Sequence, residues 1–264
     1  MVVHEKVSVE TLNEMKKISC TTAWGILGRL VRNPLIRESY RMINMRPIDV
    51  SYKICGPAVT VRYLSFDPMN LSTEGEQLQK DYPEMIIKMN KVLSPGDIIV
   101  AATLGRSDAG VFGDGILYGF KAYGASGVIV DGGERDVPII REEVKIPVFM
   151  TGTATPTIAA WHIYEGKPAG VLPKEINVPV ICDGVRVRPG DIIIGDECGV
   201  IVIPVEYADE VAKFGGAIED IEKLERELIT KGEYVHGQRL SEEQAKQYGL
   251  EREWSILDKF RKTV

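Results

Sequence analysis

Histidine is scarce in this chain. His4, His162 and His236 are the only three in 264 residues, a poor supply for a histidine-built metal cluster or a serine–histidine triad. The four cysteines, Cys20, Cys55, Cys182 and Cys198, are scattered, with no C-x-x-C pair and no zinc-type spacing. In a chain this long they read as reduced core residues rather than a disulfide framework. A basic excess is also missing: the net charge is −6 and the pI is near 5.3. Without a local basic cluster, that balance argues against nucleic acid or an anionic membrane as the main partner. No apolar run approaches the ~20 residues needed to span a bilayer. The N-terminal stretch MVVHEKVSVETLNEMKK lacks the apolar centre of a secretory signal, so the expectation is a cytoplasmic protein.

What is present suits an ordinary folded protein, with length enough for one large domain or two small ones. Ser8 and the Ser19–Thr22 run are helix caps, predicting two helical pieces over residues 8–31. ICGPAVTVRYLS (54–65) is β-branched and bounded by Gly-Pro, hence a strand. A loop and helix over 67–89 precede a second buried strand, SPGDIIVAATLG (94–105). The segment 178–205 alternates short apolar runs with Asp-Gly, Pro-Gly-Asp and Cys-Gly turns, predicting hairpins. PGDII occurs at 95–99 and again at 189–193, hinting at two similar strand layers. Ile218, Ile221, Leu224 and Leu228 form a helical stripe. After it come a capping box, Ser241-x-x-Gln244, and a last helix with Trp254, Leu257 and Phe260. That tail packs either on its own domain or on a neighbouring subunit.

The chain is organised around 113–136, GDGILYGFKAYGASGVIVDGGERD: a Gly-Asp-Gly turn, a short helix, a strand of small apolar residues, and an Asp-Gly-Gly turn. Free N–H groups at the helix start, around Gly113, Asp114, Gly115 and Ile116, suit a carboxylate or phosphate; Asp114 as a plain N-cap is the equal alternative. A dinucleotide-binding reading is weaker, because eight residues separate Gly105 from Asp114 and G-x-G-x-x-x-G misses the fingerprint. At the other end of the strand, Arg135 offers a planar fork for a carboxylate, and Asp136 offers a hard oxygen for Mg²⁺ or Mn²⁺. Against this stands a surface ion pair. Asp131 reads as capping the turn and Glu134 as solvated. His162 reads as a packed histidine, and Arg186 with Arg188 as a solvated face.

In linear order, S-x-T-T-x-x-x-x-L (19–27), GPAVTVR (56–62), PGDIIV (95–100), GD-x20-RD (113–136), PVF-x-x-G (147–152) and PGD-x-x-x-GD-x-x-GV-x-VIP (189–204) resemble the RraA-like family. That family includes 4-hydroxy-4-methyl-2-oxoglutarate / 4-carboxy-4-hydroxy-2-oxoadipate aldolases and regulators of ribonuclease E activity. The resemblance implies an α/β fold, a three-layer ββα sandwich of the swivelling, phosphohistidine-domain-like type, over residues 1–232, with a C-terminal helical extension over 233–264. It also implies a homo-oligomer, trimer or hexamer, and a small 2-oxo acid substrate. The implied activity is that of a class II aldolase, which cleaves a 4-hydroxy-2-oxo acid to pyruvate with Mg²⁺ or Mn²⁺ and decarboxylates oxaloacetate as a side reaction. Carried over position by position, Gly113, Asp114, Gly115 and Ile116 form the substrate loop, Arg135 binds the carboxylate, and Asp136 binds the metal. Arg135 and Asp114 are then the catalytic pair, with Asp114 ordering a water that moves protons.

The sequence departs from the aldolase pattern in three ways. The acid three residues past the metal aspartate is Ile139; two leucines of the loop are Gly115 and Ile116; and the 67–89 segment and the tail are longer. Family aldolases also draw an acid from a neighbouring subunit's C-terminal helix, for which Glu222 is the candidate. The alternative function is a protein-binding regulator of ribonuclease activity that performs no chemistry.

Overall fold

The computed structural model describes residues 7–31, 40–67, 72–155 and 170–262; His4 and His162 lie outside them. Helices α1 (Val9–Met15) and α2 (Cys20–Leu30) begin as the hydroxyls predict: Ser8 accepts from Thr11 N–H and Ser19 from Thr22 N–H. Short strands β1 (Arg41–Met42) and β2 (Arg46–Pro47) lead to the long β3 (Ile54–Ser65). Next come α3 (Thr73–Val92), β4 (Ile98–Ala102), α4 (Asp114–Ala122) and β5 (Gly127–Glu134). A short helix α5 (Val137–Ile139) continues as a π turn (Ile140–Val144) into β6 (Val148–Thr153).

The remaining strands are β7 (Val171–Ile176), the hairpin β8 (Val180–Cys182) and β9 (Val185–Val187), and the hairpin β10 (Ile192–Asp196) and β11 (Gly199–Ile203). Three helices finish the described chain: α6 (Ala208–Thr230), α7 (Glu242–Gln247) and α8 (Glu251–Lys262). Among the described residues no helix is long and apolar enough to cross a membrane.

One nine-stranded sheet runs β1-β11-β10-β3-β4-β5-β6-β2, with β7 on β3. Its centre is β3. The first half of β3 pairs antiparallel with β10, and its second half pairs parallel with β4 and antiparallel with β7. The two PGDII copies deliver β4 and β10 to either side of β3, in the two sheet regions that face each other across a shared core. Each begins with the same turn. Gly96 and Gly190 take positive φ after a proline, and Asp97 and Asp191 accept from the N–H three residues back, Ser94 at 2.7 Å and Arg188 at 2.8 Å.

Strand alternation then sorts the apolar side chains into three cores. Ile98, Val100 and Ile129 face inward with Ile193, Val200 and Val202 and the β8–β9 hairpin. Ile99, Ala101, Val128 and Val130 turn to α3 and α4. Ile192, Ile194, Ile201 and Ile203 turn to α1, α2 and α6. The result is the expected mixed α/β architecture, two sheet regions face to face with helices outside. The tail packs on its own domain: Leu257 and Phe260 of α8 are buried in the third core with Leu224 and Leu228 of α6.

Candidate active site

β4, α4 and β5 form a parallel βαβ unit, with Ile98–Ala101 registered on Gly127–Val130. A loop over 103–113 separates β4 from α4 and folds back over the end of β5. Val111 N–H donates to Gly133 O at 2.9 Å, and Gly133 N–H donates to Arg106 O at 3.0 Å. The Asp-Gly-Gly segment expected to turn instead stays in the strand, with its register on β6 shifted between Val130 and Gly133. Its glycines make room for the loop, since a Cβ on Gly133 would sit 2.7 Å from Ser107 O.

Helix α4 starts at Gly113, whose backbone is extended (φ −119°), and no side chain caps it. Asp114 is therefore not the N-cap; it lies in the first turn. Ile116 N–H already donates to Gly113 O at 3.1 Å. The N–H groups of Asp114 and Gly115 make no hydrogen bond among the described residues. The open part of the predicted substrate loop is thus narrower than four amides, with Gly115 fully clear of neighbours.

Arg135 follows the last strand residue and lies along this loop. A Cβ on Gly110 would come 2.7 Å from Arg135 Cβ, and one on Gly113 would come 2.7 Å from Arg135 Nη1. A side chain at 113 would therefore have to displace the flexible end of Arg135, while the φ of Gly113 makes no demand for glycine. The guanidinium Nη1 donates to Asp136 Oδ2 at 2.5 Å, with the two side chains 32% and 29% exposed. Arg135 Nε is buried without a partner among the described residues. Asp136 itself is left-handed (φ 56°), a conformation aspartate tolerates better than most side chains, and so the chain turns sharply into α5. The structure therefore brings together Gly113, the α4 amides, Arg135 and Asp136 from positions more than twenty residues apart.

Three expectations need correcting. Glu134 is not solvated: it is fully buried, and its Oε2 accepts from Phe112 N–H at 2.8 Å. Burial, the largest effect, holds its carboxyl well above the usual range against the lowering influence of Phe112 N–H and Arg135. Period-two alternation places it on the face of Val128 and Val130, which was the missed signal. Asp131 does not cap a turn. It is buried in β5 and accepts from Thr103 N–H and from Thr103 Oγ1, the latter at 2.9 Å, with its pKa raised chiefly by burial. The Arg186–Arg188 face is solvated as expected at Arg186, but Arg188 is only partly exposed and pairs with Asp191 at 3.0 Å and Glu206 at 2.5 Å.

Ile139 is 39% exposed on α5. Glu222 lies on α6 in a cleft of about 400 Å³ between α2, α6 and α8. Burial and Glu219 raise its pKa, and its charged neighbours do not include Arg135 or Asp136.

Comparison with known proteins gives a consistent answer. A family model described as RraA-like, Aldolase/RraA, matches residues 30–202. The chain is 36% identical over 167 residues to a Halalkalibacterium halodurans protein named "Putative 4-hydroxy-4-methyl-2-oxoglutarate aldolase", covering 63% of this chain and 67% of that one. It is 29% identical over 223 residues to protein DlpA of Legionella pneumophila, covering 84% of this chain but 32% of that longer one. Among solved structures, Streptomyces coelicolor RraAS2, described as an unusual member of the RNase ES inhibitor RraA protein family, superposes with a TM-score of 0.67 at 26% identity. That match covers 84% of this chain and 98% of that one. An uncharacterized Pseudomonas syringae protein superposes with a TM-score of 0.68 at 22% identity, covering 87% and 96%, which bears on the fold alone.

Proposed function

This chain belongs to the RraA-like family, and on that premise we propose that it is a divalent-metal-dependent carbon–carbon lyase that releases pyruvate from a 4-hydroxy-2-oxo acid. One observation carries the reading: the Arg135 guanidinium lies against Gly113 at the uncapped start of α4, with the Asp136 carboxylate beside it. A protein that only docks on a partner has no need of an arginine fork, open helix amides and a hard oxygen donor at one point.

The substrate carboxylate pairs with the Nη donors of Arg135 and the N–H groups of Asp114 and Gly115, a planar fork and a helix N-terminus both suited to an anion. This fixes which end of the 2-oxo acid faces Asp136. The metal fits the donor set. Asp136 Oδ1 is unengaged among the described residues, and no group of three His, Cys, Asp or Glu gathers among them. Mg²⁺ and Mn²⁺ bind through one or two carboxylates and keep their waters, whereas a structural zinc site needs more protein ligands. When bound, such an ion supplies Lewis-acid polarisation of the 2-oxo group. Asp114, half-exposed in the first turn of α4, holds the water that carries a proton to and from the substrate. The same arrangement accepts oxaloacetate, so decarboxylation is the expected side reaction.

The test is pyruvate release from oxaloacetate and a panel of 4-hydroxy-2-oxo acids, coupled to lactate dehydrogenase, with Mg²⁺, Mn²⁺ or EDTA. Turnover with either metal and none with EDTA supports the reading; no metal-dependent turnover on any substrate overturns it. Ile139, apolar and partly exposed where an acid is expected, favours the second reading, a ribonuclease-binding regulator without chemistry. That reading requires co-elution with a ribonuclease and no turnover. We further propose a homotrimer or hexamer in the cytoplasm, checked by light scattering after size exclusion and by cell fractionation.

A further inference from the structure

The loop that carries Gly113 is held at two consecutive amides. Val111 N–H donates to Gly133 O, which forms the Gly110–Gly133 bridge; this contact is backbone to backbone and indifferent to sequence. The next amide, Phe112 N–H, has a different partner, the Oε2 of Glu134 at 2.8 Å. Phe112 is fully buried and stacks edge-on to Phe120 of α4, with ring centroids 5.1 Å apart. Its amide is cut off from water and depends on that one side chain. The Glu134 backbone is engaged as well, since its carbonyl accepts from Ala154 N–H at 2.9 Å. The residue is thus pinned between the ends of two strands while its side chain reaches under the loop.

An apolar side chain would be the default here. Tyr63, Tyr82 and Phe112, all of the same buried apolar cluster, lie near it, and a buried carboxyl is costly unless its hydrogen bonds do something an aliphatic group cannot. Glu134 also directly precedes Arg135, whose side chain lies along Gly110 and Gly113. Two neighbouring residues therefore touch the same loop, one through the amide of Phe112 and one through the glycines on either side of it.

We propose that Glu134 is a positioning residue of the pyruvate site: by accepting Phe112 N–H it sets Gly113, and with it the open amides of α4, at their distance from the Arg135 guanidinium. The proposal rests on the function given above and deepens it. It needs an acceptor oxygen and no particular charge, because a carboxylate, a carboxylic acid and a carboxamide all present one.

The experiment compares Glu134→Gln, which keeps the acceptor at full reach, with Glu134→Asp, one methylene short of Phe112, and Glu134→Leu, which has no acceptor. Pyruvate affinity is measured by calorimetry with Mn²⁺ present, Mn²⁺ affinity by electron paramagnetic resonance without pyruvate, and folding by circular dichroism. The expected pattern is a Gln variant within a few-fold of the parent, Asp and Leu variants weakened about tenfold or more for pyruvate, and Mn²⁺ affinity unchanged in all three. If the Leu variant fails to fold, the Gln–Asp pair decides alone. Equal pyruvate affinity in Gln and Asp variants overturns the proposal, and so does a Leu variant that binds like the parent. A parent protein that binds no pyruvate instead overturns the function itself, which the same titration shows separately.

Discussion

Arg135 lies so close over Gly113 that a methyl group there would meet both terminal nitrogens and the Cζ of the guanidinium and have to displace them. The pair joins the end of β5 to the start of α4. It makes the glycine as much a part of the site as the arginine.

Gly113→Ala should therefore act as a mild form of Arg135→Ala. The added Cβ pushes the guanidinium off the helix start while leaving the strand intact. We expect Arg135→Ala to lower kcat/KM by roughly 100-fold or more, the usual scale for removing a charged anion anchor, and Gly113→Ala to lose a good part of that. Arg135→Lys should restore little, because an ammonium cannot reproduce the fork. Steady-state kinetics with unchanged circular dichroism would check all three; a fully active Gly113→Ala enzyme would sink the geometry.

Asp136→Ala should remove the response to Mg²⁺ and Mn²⁺. It also frees Arg135 from its ion pair, so pyruvate should still bind weakly, as a simple anion. Losing the ion pair should cost less than about 1 kcal/mol, since the pair is partly exposed and solvent screens it, and the left-handed backbone at 136 should add about 1 kcal/mol more, because alanine tolerates it less well than aspartate. Metal titration of the variant, followed by thermal melting, checks both parts.

Asp131 gives a pH dependence with a definite sign. Burial raises its carboxyl pKa in the folded state, so the folded protein holds that proton more tightly than the unfolded chain. Its contribution to stability is complete below the unfolded carboxylate range and is lost as pH rises through the folded value. Asp131→Asn keeps an acceptor for Thr103 and does not titrate. The urea midpoint of the variant should therefore gain on that of the parent as pH rises from about 4 to 7; a constant difference would contradict the assignment.

The cysteines should react in order of exposure. Cys198 is exposed, Cys55 is intermediate, and Cys20 and Cys182 are buried. Burial pushes the Cys55 thiol up to about 12 and holds Cys20 and Cys182 well above their ordinary value. Ellman's reagent should find one fast thiol in the native protein, a slow second, and the remaining two only after unfolding. A native protein with all four thiols fast would disprove the packing around α2 and β8.

Phe260→Ala tests whether the tail belongs to the domain. Phe260 stacks on Phe214 of α6 at 4.5 Å between centroids, and the Arg29 guanidinium sits 5.2 Å from its ring. Truncating a buried phenylalanine costs roughly 3–5 kcal/mol. Denaturant unfolding should show a loss of that size in the whole domain, not a separate early transition of the C-terminal helices.

Much of the fold was legible because its signals are local. The β-branched run of 54–65 forms β3 although Gly56-Pro57 lies inside the strand and not at its edge, Ser8 and Ser19 cap the first helices, and Ser241 with Gln244 forms the reciprocal capping box. Each depends on a few adjacent residues. The motif order was also enough to place the chain in its family, since it is a property of the sequence and needs no coordinates.

What the tertiary structure decided concerns residues whose environment lies elsewhere in the chain. Glu134 looks like any acid in a polar turn until the 103–113 loop covers it and Phe112 turns its amide inward. Asp131 becomes a buried acceptor only because β4 ends beside it at Thr103. The two PGDII turns hint at two layers, and the structure adds that both layers run through β3. The sequence by itself determined most of the elements and the family. The three-dimensional packing alone determined that Arg135 rests on Gly113 and that Glu134 supports the same loop, because burial and contact are set by segments that meet only when the sheet closes.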